Sequence, residues 1–444
     1  MVFHLMPTPL SMRMRDLALP KGKIFLPLLL GLLVSSVWAD ETKTNTSDDI
    51  NAKGIRLSGY GTLGYATDNQ ELIAPIRDFS QRLKDGYLTE DSWRLDSRLG
   101  VQFDYRFSPK TEVVAQVLLR DQVINNLKTA TELAYLGITP STEWDLRIGR
   151  VGYDVFLSSD HRSLGYSYAW IRPPEVYYSW IPVFSVDGVD AVFKIDTEDA
   201  HWRIKGQFGR SRPAFAIGLG GYQADIDEIY ALSAARESGP WRIKASFSYL
   251  KAGNEVPAFA PLHSHLDRIA NTASAAAVRQ EASQLRTEFS TLGASKDFLS
   301  LGVAYDDGVW QGQAEVGVTH TNRDFFSASE AAFLTLGRRM GNVTPFFILS
   351  VVQPTSHLHQ PINDWQHEAP IQEKSIEVIN SSRLDQKTLS LGMRWDVCDQ
   401  AALKLQWSTT HINEQGYGLW WRPVVFNSQD KRVNALAVSL DFIF

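Results

Sequence analysis

The end of the chain, 433–444, alternates without a break. Leu436, Val438, Leu440, Phe442 and Phe444 fall on every second residue, with Ala437, Ser439 and Asp441 between them. A side-chain period of two is the mark of a strand with one apolar and one wet face. Here the C-terminus itself is such a strand, and an aromatic closes it. The same pattern is longer at 93–107. Trp93, Leu95, Leu99, Val101, Phe103, Tyr105 and Phe107 alternate with Arg94, Asp96, Arg98, Gln102, Asp104 and Arg106. That run exceeds an ordinary globular strand and suits a tilted strand that continues past a membrane.

The same test applied along the chain predicts strands at 55–66, 93–107, 111–122, 130–139, 143–150, 187–196, 201–210, 226–236, 240–250, 297–305, 309–320, 332–339, 343–353, 387–396, 401–411 and 431–444. The links alternate in length. Short turns lie at 108–110, 140–142, 197–200, 237–239, 306–308, 340–342 and 397–400, rich in Pro, Gly, Asp and Asn. Long links lie at 67–91, 123–129, 151–186, 211–225, 251–296, 321–331, 354–386 and 412–430. An even number of strands, with tight turns on one rim and long loops on the other, is the pattern of an all-β, 16-stranded antiparallel transmembrane β-barrel. Composition agrees. Apolar residues make up 44% of the chain, yet mean hydropathy is −0.19, so the apolar side chains must be hidden by alternation. With 13 Trp, 15 Tyr and 22 Phe there are enough rings for two interfacial girdles. The net charge of −6 gives no nucleic-acid footprint. Cys398 is the only cysteine, which excludes an intrachain disulfide and reads as a free thiol in a turn.

At the other end, Lys21 and Lys23 precede an apolar run over 24–38, followed by Ala39 and Asp40. A basic segment, a short apolar stretch and a small residue before a polar one make a secretory signal peptide over 1–39, with Met12 or Met14 as alternative starts. A polar periplasmic tether over 40–54 then leads into the barrel, 55–444. The loop at 251–296 contains an Ala-rich stretch, 266–285, expected to be helical and to form part of a surface lid.

The architecture resembles the Gram-negative general porins, the trimeric 16-stranded outer-membrane family. The local matches are Leu57-Ser58-Gly59-Tyr60-Gly61-Thr62-Leu63-Gly64-Tyr65, Ala134-Tyr135-Leu136-Gly137, Ile148-Gly149-Arg150 and the terminal Phe444. The resemblance implies that the third long loop, about 151–186, folds into the lumen as a constriction. It reads Trp170-Ile171-Arg172-Pro173-Pro174-Glu175 where the family usually has a Pro-Glu-Phe-Gly type of sequence. It further implies an acidic cluster on the loop (Asp154, Asp160, Glu175, Asp187) facing a basic wall (Arg94, Arg98, Arg120, Arg147, Lys194, Arg203, Lys205), which together filter solutes by charge. Arg162 and Arg172 sit on the loop itself. The loop aromatics Tyr166, Tyr168, Trp170, Tyr177, Tyr178 and Trp180 either pack it onto the wall or offer a slide to a solute. Phe442 and Phe444 would serve as the barrel-assembly signal.

The function so implied is passive diffusion of small hydrophilic solutes and ions through the outer membrane, with no cofactor and no metal. The implied partners are outer-membrane lipid and lipopolysaccharide, the barrel-assembly machinery and two further copies in a homotrimer. A substrate-selective channel for sugars, aromatic acids or peptides is the alternative, and a barrel enzyme or adhesin the third. The sequence contains no nucleophile elbow, P-loop or HExxH motif. His263, His265, His357, His359 and His367 read as loop histidines rather than metal ligands.

Overall fold

The computed structural model describes residues 54–70, 74–81, 92–179, 181–217, 220–414, 416, 419–421 and 431–444. The leader, most of the tether and Trp180 lie outside the described residues. Sixteen strands form one closed antiparallel barrel: β1 (Gly54–Asp68), β2 (Arg98–Ser108), β3 (Thr111–Arg120), β4 (Thr131–Ile138), β5 (Trp144–Gly152), β6 (Ser185–Asp196), β7 (His201–Ser211), β8 (Ile226–Ser238), β9 (Trp241–Ala252), β10 (Ser295–Asp306), β11 (Trp310–Thr321), β12 (Ser329–Arg338), β13 (Val343–Pro354), β14 (Gln386–Cys398), β15 (Ala401–Ile412) and β16 (Lys431–Ile443). Each strand pairs with its neighbours in sequence, and β16 returns to β1. Closure satisfies every edge that a bilayer would otherwise leave without hydrogen-bond partners.

The alternation sets the two faces. Leu57, Leu99, Phe103, Ile148, Phe208, Leu232, Leu299, Leu334, Leu391 and Leu436 point outward and stay exposed, although they are large and apolar. Lipid is the solvent that makes this favourable. Exposed Trp144, Trp202, Trp241, Trp310 and Trp395 all lie within a few residues of the short turns. They form a girdle at that rim, where an indole has an apolar body in the membrane and a polar edge in water. Three of these turns use glycine at positive φ, namely Gly239 (54°), Gly308 (86°) and Gly341 (63°). That conformation lets so short a link reverse a twisted strand.

The seam between β1 and β16 is fitted by aromatics on glycines. Gly59 and Phe444 exchange backbone hydrogen bonds of 2.8 and 3.0 Å. The Phe444 ring lies where a Cβ on Gly59 would come within 2.2 Å, and the Phe442 ring does the same over Gly61, at 2.3 Å. Gly59-Tyr60-Gly61 thus leaves room for Phe442 and Phe444 on the outer face. This matching of ring to glycine fixes the register of the closing pair.

On the long-loop rim, the links after β9 and β13 fold together. Three helices, α1 (Ala260–Thr272), α2 (Ala276–Glu288) and α3 (Ala369–Asn380), share a core of Leu266, Ile269, Ala282, Leu285, Phe289, Trp365, Ile376 and Ile379. The Glu281 carboxylate is buried among them. It accepts hydrogen bonds from the amides of Ile362 and Asn363, the Asn363 and Gln372 side chains and the Trp365 indole, at 2.7–3.0 Å. The helix expected over 266–285 is instead two helices. The chain turns at Ala273, whose carbonyl and that of Ser274 accept from Arg279 at 2.7 and 3.0 Å. The turn lets Leu266 and Ile269 meet Ala282 and Leu285, and tertiary burial outweighs local helix preference.

The inner loop and its basic edge

The third long link runs over 153–184, between β5 and β6. Its side chains meet inward-facing residues of strands on opposite sides of the barrel. Asp154 is buried against β7, β8 and β9. Its amide donates to Gln207 at 2.9 Å, and its carboxylate accepts from Ser233 at 3.2 Å and is bonded by Lys244. Lys205 stands 3.5 Å away. Tyr153 donates to Ser248 at 2.6 Å. Across the lumen, Tyr177 shares a 2.7 Å bond with Ser300 of β10. Glu315 of β11 accepts from Tyr178, from the Leu157 amide (3.0 Å) and from Gln313 (2.7 Å). Tyr177 and Tyr178 pack on Phe156, Phe298 and Phe333. Tyr168 and Trp170 cluster with Phe346 and Ile348 of β13.

The far edge of the loop is tied down by ions. Lys404 of β15 and Asp441 of β16 form a fully buried pair at 2.9 Å. The Lys404 ammonium also donates to the carbonyls of Gly165 (2.7 Å) and Trp170 (2.9 Å). Thr62 (2.5 Å) and Ser439 (3.0 Å) donate to Asp441. Arg394 of β14 reaches the carbonyls of Tyr166 and Tyr168 at 2.5 and 2.8 Å, and the Ile171 amide donates to Gln406 at 3.2 Å. By hydrogen bonds and packing together the loop touches strands β7 to β15, and it also meets Ala66 of β1, Arg120 of β3 and Ala437 of β16. Charged donors bonded to loop carbonyls are among the stronger fastenings a protein has.

Where the loop passes β2 and β3, five guanidinium groups converge. Arg77 comes from the first long link, Arg98 and Arg120 from the wall, and Arg162 and Arg172 from the loop. With Asp78 they line a cavity of about 40 Å³, room for a few waters or one small oxyanion. Four of the five are engaged. Arg77 bonds Asp78 at 3.0 Å. Arg120 lies 3.8 Å from both Asp78 and Glu132 and stacks over Phe184. Arg162 stacks on the same ring at 3.6 Å, and Arg172 bonds Asp96 and Glu175, each at 2.9 Å. Among the described residues Arg98 has no carboxylate within ion-pair distance. Its Nε and one terminal nitrogen are buried without a hydrogen-bond partner among the described residues. A buried, unpaired guanidinium is costly unless something anionic or aqueous reaches it.

Of the acids expected to face a basic wall, Asp154 stands beside Lys205 and Asp160 beside Arg203, while other wall bases pair with wall acids. Arg147 bonds Asp190 at 2.8 Å, Lys194 bonds Asp145 at 2.8 Å, and Lys205 lies 3.6 Å from Asp190. Arg203 and Asp160 are half-exposed and 3.9 Å apart. Glu175 pairs with Arg172 on its own loop. Two expected positions differ outright. Arg94 is exposed and precedes β2, because 92–97 is irregular. There Leu95 turns inward to pack with Ala66, Ile171 and Ala437, so Arg94 and Arg98 form no stripe. Asp187 is not a loop residue. β6 starts at Ser185, and Asp187 faces outward, bonded to Arg150 at 2.6 Å. The sequence reading passed over Arg77, Lys244, Glu315, Lys404 and Asp441. Glu315, Lys404 and Asp441 each stand at inward positions of otherwise apolar alternating strands, and that was the available signal.

No family model matches the chain, and no curated protein matches it. Solved structures do. An anion-selective porin from Comamonas acidovorans superposes with a TM-score of 0.51 at 11% identity, over 88% of this chain and 100% of that one. OmpF of Salmonella typhi, in complex with daunomycin, gives 0.50 at 11% identity, over 88% and 98%. Likeness at this identity speaks for the fold, and the apolar belt speaks independently for a bilayer. The chain folds as a porin-like, 16-stranded transmembrane β-barrel.

Proposed function

We propose that the protein is a restrictive outer-membrane channel through which small hydrophilic solutes diffuse passively, with small anions preferred. The observation that carries this reading is Arg98, a cation at the edge of the inner loop with unpartnered donors, set beside Arg77, Arg120 and Arg172, whose acids are already paired, and Arg162, which stacks on Phe184. Every acid of the loop that could have favoured cations is paired or beside a base: Asp154 with Lys244, Glu175 with Arg172, and Asp160 near Arg203. The field at the basic edge is therefore net positive, and in a narrow path bounded by low-dielectric walls such a field acts strongly on a passing ion. Many loop-to-wall bonds restrict the size of that path. The porin fold also supports a homotrimer and a route without energy input or cofactor.

Proteoliposome swelling tests the reading. Small anions should enter faster than neutral solutes of equal size, and larger polyols should be excluded. Equal rates for anions and cations, or free entry of larger solutes, would overturn it.

A further inference from the structure

The outer wall carries a charged group where its neighbours are apolar. Arg150 at the loop end of β5, Asp187 at the start of β6 and Arg210 at the end of β7 lie side by side, with Arg150 opposite Asp187 and Asp187 opposite Arg210. By the period of two they share the lipid face with Ile148, Val189 and Phe208, which are 55%, 43% and 53% exposed. Arg150 is held rigidly. It forms two bonds to Asp187 (2.6 and 2.9 Å) and two to the carbonyls of Lys128 and Thr131 (2.7 and 3.0 Å). Lys128 lines the same surface depression as Arg150, Asp187 and Arg210, a third cation in the group. Lys128 and Arg210 are exposed, and among the described residues neither has a carboxylate within ion-pair distance. The group therefore has three cations and one anion.

Cations on the lipid face are disfavoured at the bilayer midplane and tolerated only near an interface. These sit at the long-loop rim, hence at the outer-leaflet headgroups. Directly below them a furrow runs down the wall, lined by Leu146, Ile148, Val189, Phe208 and Leu232. Ile148 borders both the furrow and the charged group. The furrow passes over Gly206, where an added Cβ would meet nothing within 4 Å. A cationic socket above an apolar channel has the polarity of an acyl lipid with a phosphate headgroup.

We propose that this face binds one such outer-leaflet lipid, its phosphate between Lys128 and Arg210 and an acyl chain in the furrow over Gly206. The proposal rests on the reading of the chain as an outer-membrane barrel, and not on what passes through it.

The test is native mass spectrometry of the full barrel in detergent, titrated with phosphatidic acid, with phosphatidylcholine and with inorganic phosphate. The wild type should retain phosphatidic acid in preference to phosphatidylcholine. The double charge reversal Lys128→Glu/Arg210→Glu should weaken that retention roughly tenfold or more, since each basic residue near a lipid surface contributes on the order of a kcal/mol. Gly206→Phe, which fits the empty furrow, should weaken both lipids alike. Three results would overturn the proposal. The first is a wild type that does not discriminate between the lipids. The second is full displacement of the lipid by inorganic phosphate, which marks a free-anion site. The third is a charge reversal that changes the oligomer mass and leaves lipid retention intact, which marks a contact between copies. Channel currents from the same preparation keep the two readings apart. A barrel that conducts without retaining lipid refutes only the lipid site, and one that retains lipid without conducting refutes only the channel.

Discussion

Replacing Lys404 by Met should free the inner loop without dismantling the barrel. Lys404 is fully buried, and its ammonium bonds Asp441 and the loop carbonyls of Gly165 and Trp170. Methionine has similar bulk and none of the three bonds. It leaves Asp441 ionised in a dry site, with only Thr62 and Ser439 as donors. Breaking a buried pair from one side costs about 3–5 kcal/mol. The strands are held by their own ladders, so the strain is relieved where water can enter most cheaply. That is at the loop segment 164–171, kept down otherwise by Arg394 and Gln406. A change of this size shifts the ratio of fastened to released loop by roughly a hundredfold to a few thousandfold. Single-channel recording in a planar bilayer should then show a larger conductance and a noisier open level than the wild type. Lys404→Met/Asp441→Asn, which removes both charges, should recover much of the quiet, small conductance, because a neutral pair strands no ion. The double variant also serves as comparator if the single one fails to insert. A well-inserted Lys404→Met barrel with wild-type conductance and noise would refute the view that this pair holds the loop.

The seam makes a second expectation. Gly61→Leu should block the fit of Phe442 on β1, and deletion of Phe444 should remove its neighbour. Both should lower the yield of heat-resistant barrel on gels far more than they alter the current through barrels that do form; normal insertion of both would remove the assembly role from the two rings. The helical cap should be acid-sensitive. Burial alone would raise the Glu281 carboxyl, but its five donors hold it below the usual carboxylate value. A lowered folded pKa means that the stabilisation is complete above the unfolded value of about 4.3 and is lost as pH falls through the folded one. Hydrogen exchange over 255–294 and 357–385 should accelerate in acid while the strands stay protected, and Glu281→Ala should show the fast exchange already at neutral pH. Uniform protection at both pH values would contradict this. Cys398 is exposed at the end of β14, beside a short turn. A membrane-impermeant thiol reagent should label it only after the outer membrane is breached, and labelling of intact cells would invert the barrel.

Much of the fold can be read from alternation, and the reason is physical. A strand that faces lipid on one side and water on the other must switch polarity at each residue, so every wall strand carries its own mark. Turn chemistry then fixes the rim. Alternation does not say where a strand starts. Trp93, Arg94 and Leu95 continue the pattern of β2 in sequence, yet the ladder starts only at Arg98, because Leu95 gains more from the cluster inside the barrel. β6 begins before Asp187, which moves that acid from the loop to the outer face. Nor does local pattern reveal pairing across the lumen. Lys404 and Asp441 looked like ordinary wet-face charges, and only closure brings them to Gly165 and Trp170. α3 begins with Pro370 at its first turn, a proper start signal. Its buried face includes the polar Gln372 and Ser375, which hid the helical period.

The central claim is that an arginine-edged inner loop controls what crosses the barrel. The most direct measurement is the zero-current potential across a planar bilayer bearing the protein in a salt gradient, for the wild type, Arg98→Ser and Arg94→Ser. The wild type should give a potential of anion-preferring sign, one that shrinks as salt rises and the Debye length falls toward about 3 Å at molar concentration. Arg98→Ser should move the potential toward the cation side, and Arg94→Ser, exposed above the wall, should leave it in place. A cation-preferring wild type, or an Arg98→Ser potential indistinguishable from it, would contradict the account.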